Sequence, residues 1–317
     1  MRSRTLLGIG AIGEAVKQAQ AILMSQGCGP AKADGVFGES TAAAVRQFQT
    51  RKSLPVTGVV DDTTWQPLMN RPVPSAGDRS LQLTAAFEGH GFELAVGNFD
   101  GALLTWGVIG FTMTSGEVQS IVLAVNKTNP DLVQQAFGAH AGELLQLMTA
   151  ARDFQKQWAD EHTVKSRALA EPWRSMFATF GSFPQVQQEQ LKHVRENYLN
   201  PAVATARKLG LSSELGLALC FDAHVQNGGI KAAAMKSLLQ QSKAGLAELE
   251  LRKLIANAVA DSARAAWRED VRTRKLTIAT GQGKVHGHLF VLDNWGLSGE
   301  FPAEELAPTI AAEGSAA

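Results

Sequence analysis

The sequence predicts a mainly α-helical chain of two domains, a small three-helix module followed by a larger α+β domain with one small β-sheet. Three observations support this fold class. Apolar residues recur at helical spacing through most of the chain, strand-like alternation is confined to short stretches, and a proline-containing segment separates the module from the rest. The 317 residues are enough for two hydrophobic cores.

Charge and composition argue against several classes of protein. Lys plus Arg and Asp plus Glu both total 30, so the net charge is zero and gives no indication of a nucleic-acid partner. No segment approaches the ~18 apolar residues of a membrane span. Cys28 and Cys220 lie far apart in different predicted domains. We interpret both as free thiols of a protein that folds in a reducing cytoplasm.

The first residues carry the positive charge of a signal peptide but not its apolar core. Their apolar run is short, broken by glycine and followed by Glu14 and Lys17. We therefore expect synthesis in the cytoplasm without a clear signal peptide, and delivery by another route if the target lies outside.

Three helices are predicted in residues 1–69. The first follows Gly13 and ends at Gly27, the second follows the turn 34–38, and the third follows the turn 57–61. Their apolar positions are Val16, Ala19, Leu23, Ala44, Val45, Phe48, Trp65 and Leu68.

The motifs Gly-Glu-Ala-Val-Lys-Gln, Asp-Gly-Val-Phe-Gly-x-x-Thr, Val-Arg-x-Phe-Gln and Thr-Gly-Val-Val-Asp occur in this order in the module. The module thereby resembles the type 1 peptidoglycan-binding domains, which implies that bacterial peptidoglycan is its partner. Polar residues in or near the turns are the candidates for contact with glycan or stem peptide. These candidates are Asp34, Arg46 and Gln49.

Residues 70–79 are predicted to be a short, semi-rigid linker, because they contain two prolines and a glycine and show no periodicity. Residues 80–317 form the second domain. Helical patterns occur at 118–125, from 130, and at 144–157, 213–225 and 246–267. Strand signals occur at 92–96, around 103 and at 285–291. The alanine-rich tail is predicted to fray from Ala303.

Two carboxylates near the start of the second domain have different settings. Glu88 ends an apolar helical run and is followed by Gly89 and Gly91. We expect these apolar surroundings to raise its pKa and keep it protonated. Asp100 lies in an Asn-Phe-Asp-Gly turn, where we expect it to be solvated and ionised. A neutral acid and an ionised carboxylate across a cleft are the groups needed for glycoside hydrolysis.

The order of Glu88, a short β segment and the motif Asp-Gly-x-x-x-Thr-x-Gly-x-Ile-Gly-Phe at 100–111 resembles the family 46 chitosanases of the lysozyme superfamily. The resemblance implies a lysozyme-like domain with its small sheet beside the catalytic Glu88. It implies that Glu88 is the acid, that Asp100 is the base acting on a water, and that the reaction inverts the anomeric centre. Thr105 would hold that water through its hydroxyl.

The apolar run around Asp222 resembles the helix of this family that carries a buried aspartate. A carboxylate in such a run needs a cation. The resemblance implies that Asp222, Arg264 and Arg268 form a charge network behind the acid. Arg272 and Arg274 are further sources of positive charge.

Together, the two modules favour a peptidoglycan hydrolase. We expect a muramidase that cuts between N-acetylmuramic acid and N-acetylglucosamine, as in a phage or prophage endolysin released through a holin-type pore. The alternatives are a chitosanase, a lytic transglycosylase and a non-catalytic wall-binding protein. The twelve-position interval from Glu88 to Asp100 and the presence of Trp106 beside Thr105 depart from the family pattern. These departures leave the non-catalytic alternative open.

No cofactor or metal is expected. His286 and His288 are two positions apart without a nearby cysteine or carboxylate pair, which is a poor set of metal ligands. No glycine-rich loop leads from a strand into a helix with Lys-Ser or Lys-Thr, so nucleotide binding has no support. We expect a monomer whose partner is peptidoglycan, with no nucleic-acid partner and no membrane span.

Overall fold

The computed structural model describes residues 3–89, 91–98, 101–243 and 245–307. By internal contacts, the chain divides into two compact units. One unit combines Met1–Thr84 with Tyr198–Ala317, and the other is Ala85–Asn197. Both are mainly helical, as the sequence predicts.

The N-terminal module contains the three predicted helices and a small two-stranded sheet. Strand β1 pairs with β2 in antiparallel orientation, with Leu7 opposite Val60. The apolar faces of the helices are buried, including Phe48 and Trp65. The elements in chain order are β1 (Thr5–Leu7), α1 (Glu14–Ser25), α2 (Glu39–Arg51), β2 (Val60–Asp61) and α3 (Asp62–Met69).

Helix α4 (Ala76–Glu88) begins inside the predicted linker 70–79. Before it, the indole of Trp65 donates a hydrogen bond to the carbonyl of Pro72 at 2.8 Å, which fastens this segment to the module. The start of α4 has a capping box, in which the amide of Asp78 donates to Ser75 Oγ and the amide of Ser75 donates to the Asp78 carboxylate.

In the described residues of the unit Ala85–Asn197 lie a three-stranded antiparallel sheet and the α-helices α5 to α10. The sheet has the order β3-β4-β5. The predicted strand 92–96 is shorter than expected because residues 91–94 form a turn. The elements are β3 (Ala95–Val96), β4 (Thr105–Trp106), β5 (Phe111–Thr112), α5 (Glu117–Thr128), α6 (Pro130–Phe137), α7 (Ala141–Thr149), α8 (Arg152–Glu161), α9 (Trp173–Ser182) and α10 (Pro184–Val194).

One predicted helix, 144–157, is two helices in the structure. Ala150 and Ala151 are extended, with ψ of 159° and 153°, and they separate α7 from α8. Alanine favours a helix, so the composition of this stretch does not predict the break.

An aromatic cluster forms the core of this unit and joins the sheet to the helices. Trp106 of β4 stacks on Phe180 of α9 with ring centroids 5.6 Å apart. Phe137 of α6 meets Phe177 edge to face at 5.2 Å. Such pairs stabilise beyond their buried area.

The remaining helices belong to the first unit. Helix α12 is buried along most of its length, and its N-cap Ser213 accepts from the amide of Gly216. The predicted helix 246–267 ends at Asp261, and the predicted strand 285–291 is part of a hairpin. The elements are α11 (Asn200–Leu209), α12 (Glu214–Asn227), α13 (Ala232–Lys243), α14 (Glu248–Asp261), α15 (Arg268–Thr280), β6 (Gln282–Val285) and β7 (His288–Val291).

The predicted fraying of the tail from Ala303 is wrong at its start. Ala303 is buried and its amide donates to the carbonyl of Ser212 at 2.9 Å. A single 3-10 turn, Glu304–Leu306, follows. Residues 308–317 lie outside the described part. In the described part of the chain, no helix combines the length and apolar character needed to cross a membrane.

Candidate active site

Helix α4 carries the candidate acid Glu88 at its last position, and carboxylates bind its first turn. The amide of Ala76 donates to Glu304 Oε1 at 3.1 Å, and the amide of Gly77 donates to Glu305 Oε1 at 2.7 Å. The first amides of a helix have no partner within it, and negative charge is favourable there. Both glutamates therefore stabilise the start of the helix that bears Glu88.

A buried ion pair holds the middle of α4. Arg79 is 1% exposed, and its Nη2 donates to Glu214 Oε1 of α12 at 2.5 Å. Its Nη1 donates to the carbonyl of Pro74. Sequence analysis missed this pair, because Arg79 falls in a segment whose composition is typical of a solvated linker.

Thr84 lies one turn before Glu88 and links α4 to Asp222. The Thr84 hydroxyl donates to Asp222 Oδ1 at 3.0 Å, and both side chains are buried. Residues four positions apart are neighbours on a helix surface. This contact therefore fixes the part of α4 that leads directly to Glu88.

Asp222 is completely buried in α12 and pairs with two cations of α15. Arg274 Nη2 lies 2.6 Å from Oδ1, and Lys275 Nζ lies 2.5 Å from Oδ2. Burial alone would raise the pKa of Asp222, but the charges and hydrogen bonds of Arg274 and Lys275 outweigh burial and hold this pKa below its usual range. Asp222 is therefore an ionised, fixed acceptor for Thr84.

The structure corrects the predicted partners of Asp222. Arg264 and Arg268 are exposed, near the break between α14 and α15, whereas Asp222 is inaccessible to solvent. The cations that reach it are Arg274, which the sequence offers as a further source of charge, and Lys275, which sequence analysis missed. Helix α15 starts at Arg268, and Arg274 and Lys275 lie on its buried side.

Glu88 itself is half-buried at the end of α4. The helix stops there because Gly89 adopts a left-handed conformation with φ of +66°. Leu83 and Phe87 on the same helix are buried, which confirms the apolar character predicted for this run. Glu88 thus stands at the junction between a buried helix and a turn.

The candidate base Asp100 lies outside the described residues, but the chain before it is anchored. Asn98 Nδ2 donates to Asp160 Oδ1 at 2.8 Å, and the amide of Asn98 donates to Thr163 Oγ1 at 2.7 Å. Hydrogen bonds from Lys156 and then Asn98 lower the pKa of Asp160. Helix α8 therefore presents an ionised acceptor to the turn that leads to Asp100.

The chain after Asp100 is anchored as well. The carbonyl of Gly101 accepts from Thr114 Oγ1 at 2.6 Å, and the amide of Leu103 donates to Asn98 Oδ1 at 3.2 Å. Asn98, which precedes the candidate base, therefore bonds to Leu103 after it and to Asp160 of helix α8. Its asparagine side chain suits this bridge, because an amide offers a donor and an acceptor at once.

Thr105 lies in the central strand, paired with Val96 of β3 and Thr112 of β5. It is 8% exposed. The neighbouring Trp106 is fully buried, and its indole donates to the carbonyl of Phe177 at 3.2 Å. Successive strand residues point to opposite faces, so Thr105 points away from the aromatic core. The tryptophan that departs from the family pattern is thus a core residue.

A buried glutamine that sequence analysis missed fixes the loops around the sheet. Gln190 Oε1 accepts from the amide of Val108 at 3.0 Å, and its Nε2 donates to the carbonyl of Phe92 at 3.1 Å. Gly181 lies so close to this loop that a Cβ there would be 2.1 Å from the Phe92 carbonyl oxygen. Hydrophobic periodicity in the sequence predicts neither contact.

In the N-terminal module, the predicted binding residue Gln49 is internal. It is fully buried, and its Nε2 donates to Thr57 Oγ1, Val59 O and Thr64 Oγ1. Its Oε1 accepts from the amides of Thr57 and Gly58. All these groups belong to the module, so the structure gives Gln49 a structural role in place of ligand contact.

Gln20 makes a similar set of contacts with the other turn. Its Nε2 donates to Asp34 Oδ1, Val36 O and Thr41 Oγ1, and its Oε1 accepts from the amide of Gly35. The module therefore contains an internal repeat that sequence analysis did not identify. The shared offset of five residues, Val36 to Thr41 and Val59 to Thr64, is the signal that could have revealed it.

Asp34 and Arg46 remain at the surface of the module. The amide of Val36 is the main cause that lowers the pKa of Asp34 to about 2, with Gln20 and Lys32 assisting. Arg46 lies across the second turn, where a Cβ on Gly58 would be 2.6 Å from its Nη1. Both side chains stay available to a ligand.

Among the residues that the structure describes, no group of three or more His, Cys, Asp or Glu side chains could hold a metal ion. His286 Nε2 lies 3.2 Å from Asp270 Oδ1, an exposed pair.

Comparison with protein families finds matches in two separate parts of the chain. Residues 12–68 match the peptidoglycan binding domain, and residues 90–252 match glycosyl hydrolase family 46, just over half of the chain. The family 46 match includes Asp100, Thr105 and Asp222 and begins two positions after Glu88.

Similar solved structures are chitosanases. The family 46 chitosanase of Gynuella sunshinyii, in complex with chitotetraose, has 17% identity and a TM-score of 0.49, covering 69% of this chain and 98% of that chain. A mutant chitosanase of Bacillus subtilis, complexed with six GlcN units, has 18% identity and a TM-score of 0.49, covering 68% and 98%. A search of curated protein sequences finds no significant match.

Proposed function

This chain belongs to glycosyl hydrolase family 46 and carries a peptidoglycan-binding domain, and from that premise we propose that it is a muramidase. The bond it cuts is the β-1,4 bond between N-acetylmuramic acid and N-acetylglucosamine in the bacterial cell wall. The observation that carries the proposal is the presence of both domains on one chain. A wall anchor raises the local concentration of wall glycan at an attached glycosidase. Endolysins use this combination, and we propose that role.

In the proposed reaction, Glu88 donates its proton to the glycosidic oxygen as the bond from that oxygen to the anomeric carbon breaks. A water attacks the anomeric carbon from the opposite face and gives its proton to Asp100. Thr105 holds this water. The products are two shorter glycans, and the anomeric configuration inverts. This geometry requires roughly 6.5 to 9.5 Å between the two carboxyl groups.

The anchoring of the chain supports these roles. Glu88 ends a helix that is fixed at Ala76, Arg79 and Thr84. Asn98, which precedes Asp100 in the chain, bonds to Asp160 and to Leu103. Acid and base catalysis depends on groups placed within hydrogen-bond reach of the reacting atoms, so rigid supports on both sides favour a catalytic site.

A chitosanase is the second candidate, and membership of family 46 favours it. The two candidates differ in the substrate that the anchor would serve, because chitosan has no stem peptide and no muramic acid. Lytic transglycosylase activity would use Glu88 without a base and would leave an anhydro sugar. A non-catalytic wall-binding protein would cut neither polymer.

Product analysis distinguishes these candidates. Purified Gram-negative sacculi and soluble chitosan are incubated separately with the full chain, and the soluble products are analysed by mass spectrometry. We expect reducing muropeptides ending in N-acetylmuramic acid from sacculi. Glucosamine oligomers from chitosan alone would replace the muramidase proposal by chitosanase, and anhydro-muropeptides would replace it by transglycosylase. Binding to sacculi without products from either polymer would leave a wall-binding protein.

A further inference from the structure

A buried charge cluster joins three separate stretches of the first unit. Glu214, at the start of α12, is completely buried. It accepts a hydrogen bond from Arg79 of α4 at 2.5 Å and forms an ion pair with Arg4, whose Nη2 lies 2.8 Å from Glu214 Oε1. Both arginines contact the same oxygen, Oε1. Arg4 belongs to the N-terminal module and precedes β1, whereas Arg79 lies in the helix that ends at Glu88. The cluster therefore connects the wall-binding module to the helix of the candidate acid.

The other oxygen of Glu214 is also occupied, so the carboxylate has one fixed orientation. Its Oε2 accepts from the amide of Ser298 at 3.0 Å. Burial is the main cause that raises the pKa of Glu214, and the charges of Arg79 and then Arg4 oppose this rise. A buried ion pair depends on every partner that compensates its loss of water. Arg4 therefore contributes to the placement of Arg79.

Arg4 is itself held firmly in the module. Its amide donates to Asp62 Oδ2 at 3.1 Å, and the amide of Asp62 donates to the carbonyl of Arg4 at 3.1 Å. Its guanidinium lies over the ring of Phe301, 4.8 Å from the centroid. A cation over an aromatic face is attracted to it. The Arg4 side chain is thus fixed between α3 of the module and the C-terminal part of the unit.

Backbone contacts next to Arg4 show that the module docks here over more than one side chain. The amide of Gly8 donates to the carbonyl of Asn294 at 3.0 Å, and Asn294 Nδ2 donates to the carbonyl of Ile9 at 2.9 Å. A Cβ on Gly296 would lie 2.7 Å from Cδ of Arg79. The module is packed against the same segment that touches Arg79.

We infer that Arg4 of the wall-binding module is a positioning residue for glycan hydrolysis, acting through Glu214 and Arg79 on helix α4 and so on Glu88. This inference rests on the proposed acid role of Glu88. It makes the module part of the hydrolytic machinery in addition to a wall anchor. A simple tether changes the affinity for the wall, whereas a positioning residue changes turnover of a soluble glycan that needs no anchor.

The test compares full-chain variants on soluble substrates. Arg4→Met removes the charge, Arg4→Lys keeps it, and Arg51→Met is the matched control. Arg51 also lies in the module, and among the residues that the structure describes its guanidinium bonds to the carbonyls of Gln26 and Gly27 alone. The substrates are chitosan oligomers and peptide-free soluble glycan strands. Assays are run well below the unfolding temperature of each variant, so that only folded protein is compared.

We expect Arg4→Met to lower kcat about tenfold with little change in KM, because a small misplacement of a catalytic group is costly. The alkaline limb of its pH profile for kcat should also shift, since that limb reports the acid. Arg4→Lys should recover part of kcat, and Arg51→Met should equal wild type. Wild-type kcat and pH profile in folded Arg4→Met would overturn the inference.

A second measurement does not depend on any activity. Hydrogen–deuterium exchange of the peptide covering residues 80–88 should become faster in Arg4→Met and stay unchanged in Arg51→Met. If Arg4→Met does not fold, Asp62→Asn weakens the hold on Arg4 and should give the same changes at smaller size. Unchanged exchange in both variants would overturn the inference. Faster exchange in a chain without activity on any glycan would instead overturn the proposed function alone.

Discussion

Asp222 and Glu214 are two buried carboxylates of the same helix, and they differ in how their charge is balanced. Asp222 has both cations from α15 and a hydroxyl from Thr84, and its pKa is lowered despite burial. Glu214 takes its cations from distant parts of the chain, and burial keeps its pKa raised. Each carboxylate pairs with two cations, yet the two pKa values shift in opposite directions, so the number of cations alone does not set the direction of the shift.

The largest effect is expected at Asp222. Asp222→Asn removes the buried carboxylate that pairs with Arg274 and Lys275, which should lower the free energy of unfolding by about 3–5 kcal/mol. Urea unfolding followed by circular dichroism measures it. Asp261→Asn is the matched control, because Asp261 pairs with Arg272 at 2.7 Å but is 65% exposed. Its expected loss is below about 1 kcal/mol. Equal losses in the two variants would remove the distinction on which the comparison depends.

The two carboxylates should affect stability with opposite dependence on pH. The pKa of Asp222 is lowered, so its contribution is complete above its usual value of 3.8 and is lost as pH falls below that value. The pKa of Glu214 is raised, so its contribution is complete below its usual value of 4.5 and is lost as pH rises through the folded pKa.

Urea unfolding at steps from about pH 3 to 7 tests this contrast. The stability advantage of wild type over Asp222→Asn should grow with pH at the acid end. The advantage over Glu214→Gln should shrink toward neutral pH. Two curves with the same slope would show that the surroundings of the carboxylates are equivalent, against the structure.

Uncharged buried side chains extend the comparison to smaller effects. Gln49→Ala and Gln20→Ala each leave turn amides and hydroxyls without their partner, which should cost about 1–3 kcal/mol in the module. Wall affinity of the folded variants should stay close to wild type, because both side chains bond internally. Sedimentation with sacculi measures the wall affinity. Gln18→Ala is the control, because Gln18 lies on helix α1 with Gln20 and its contact with Glu14 is exposed. A selective loss of binding by folded Gln49→Ala would restore its predicted role.

The smallest effect on stability is expected for substitution of Asn98. This substitution should lower the catalytic rate instead. Asn98→Ala removes the side-chain bonds to Leu103 and Asp160 and should lower kcat about tenfold. Asn197→Ala removes an exposed bond to the carbonyl of His193 and serves as the control. Equal kcat for the two variants would separate Asn98 from the placement of the base.

The helices of the module and the apolar run to Glu88 could be predicted because periodicity reports burial directly. The partners of Asp222 could not. Helical spacing predicts which arginines share a face only while the helix is continuous. Because the helix breaks after Asp261, the residues that face inward in the next helix do not follow from the spacing before the break. The burial of Arg79 could not be predicted either. A charged residue near prolines and glycines is expected to be solvated, and only the structure shows its buried partner Glu214.

The role of polar residues was predicted least well, for a chemical reason. Gln49 carries the same groups whether it bonds to a ligand or to its own turn, and only the fold decides between them. Arg4 lies in a stretch that the sequence offers merely as a failed signal peptide. Its contact with Glu214 joins residues far apart in the chain, which no local pattern can indicate.

The most direct test of the account is the turnover of sacculi by Glu88→Gln beside wild type, with thermal unfolding and wall binding measured on the same samples. If Glu88 is the catalytic acid, the variant should fold and bind the wall as wild type does but release no soluble muropeptides. Release of muropeptides at the wild-type level by folded Glu88→Gln would contradict this role, because helix α4 would then carry no catalytic acid.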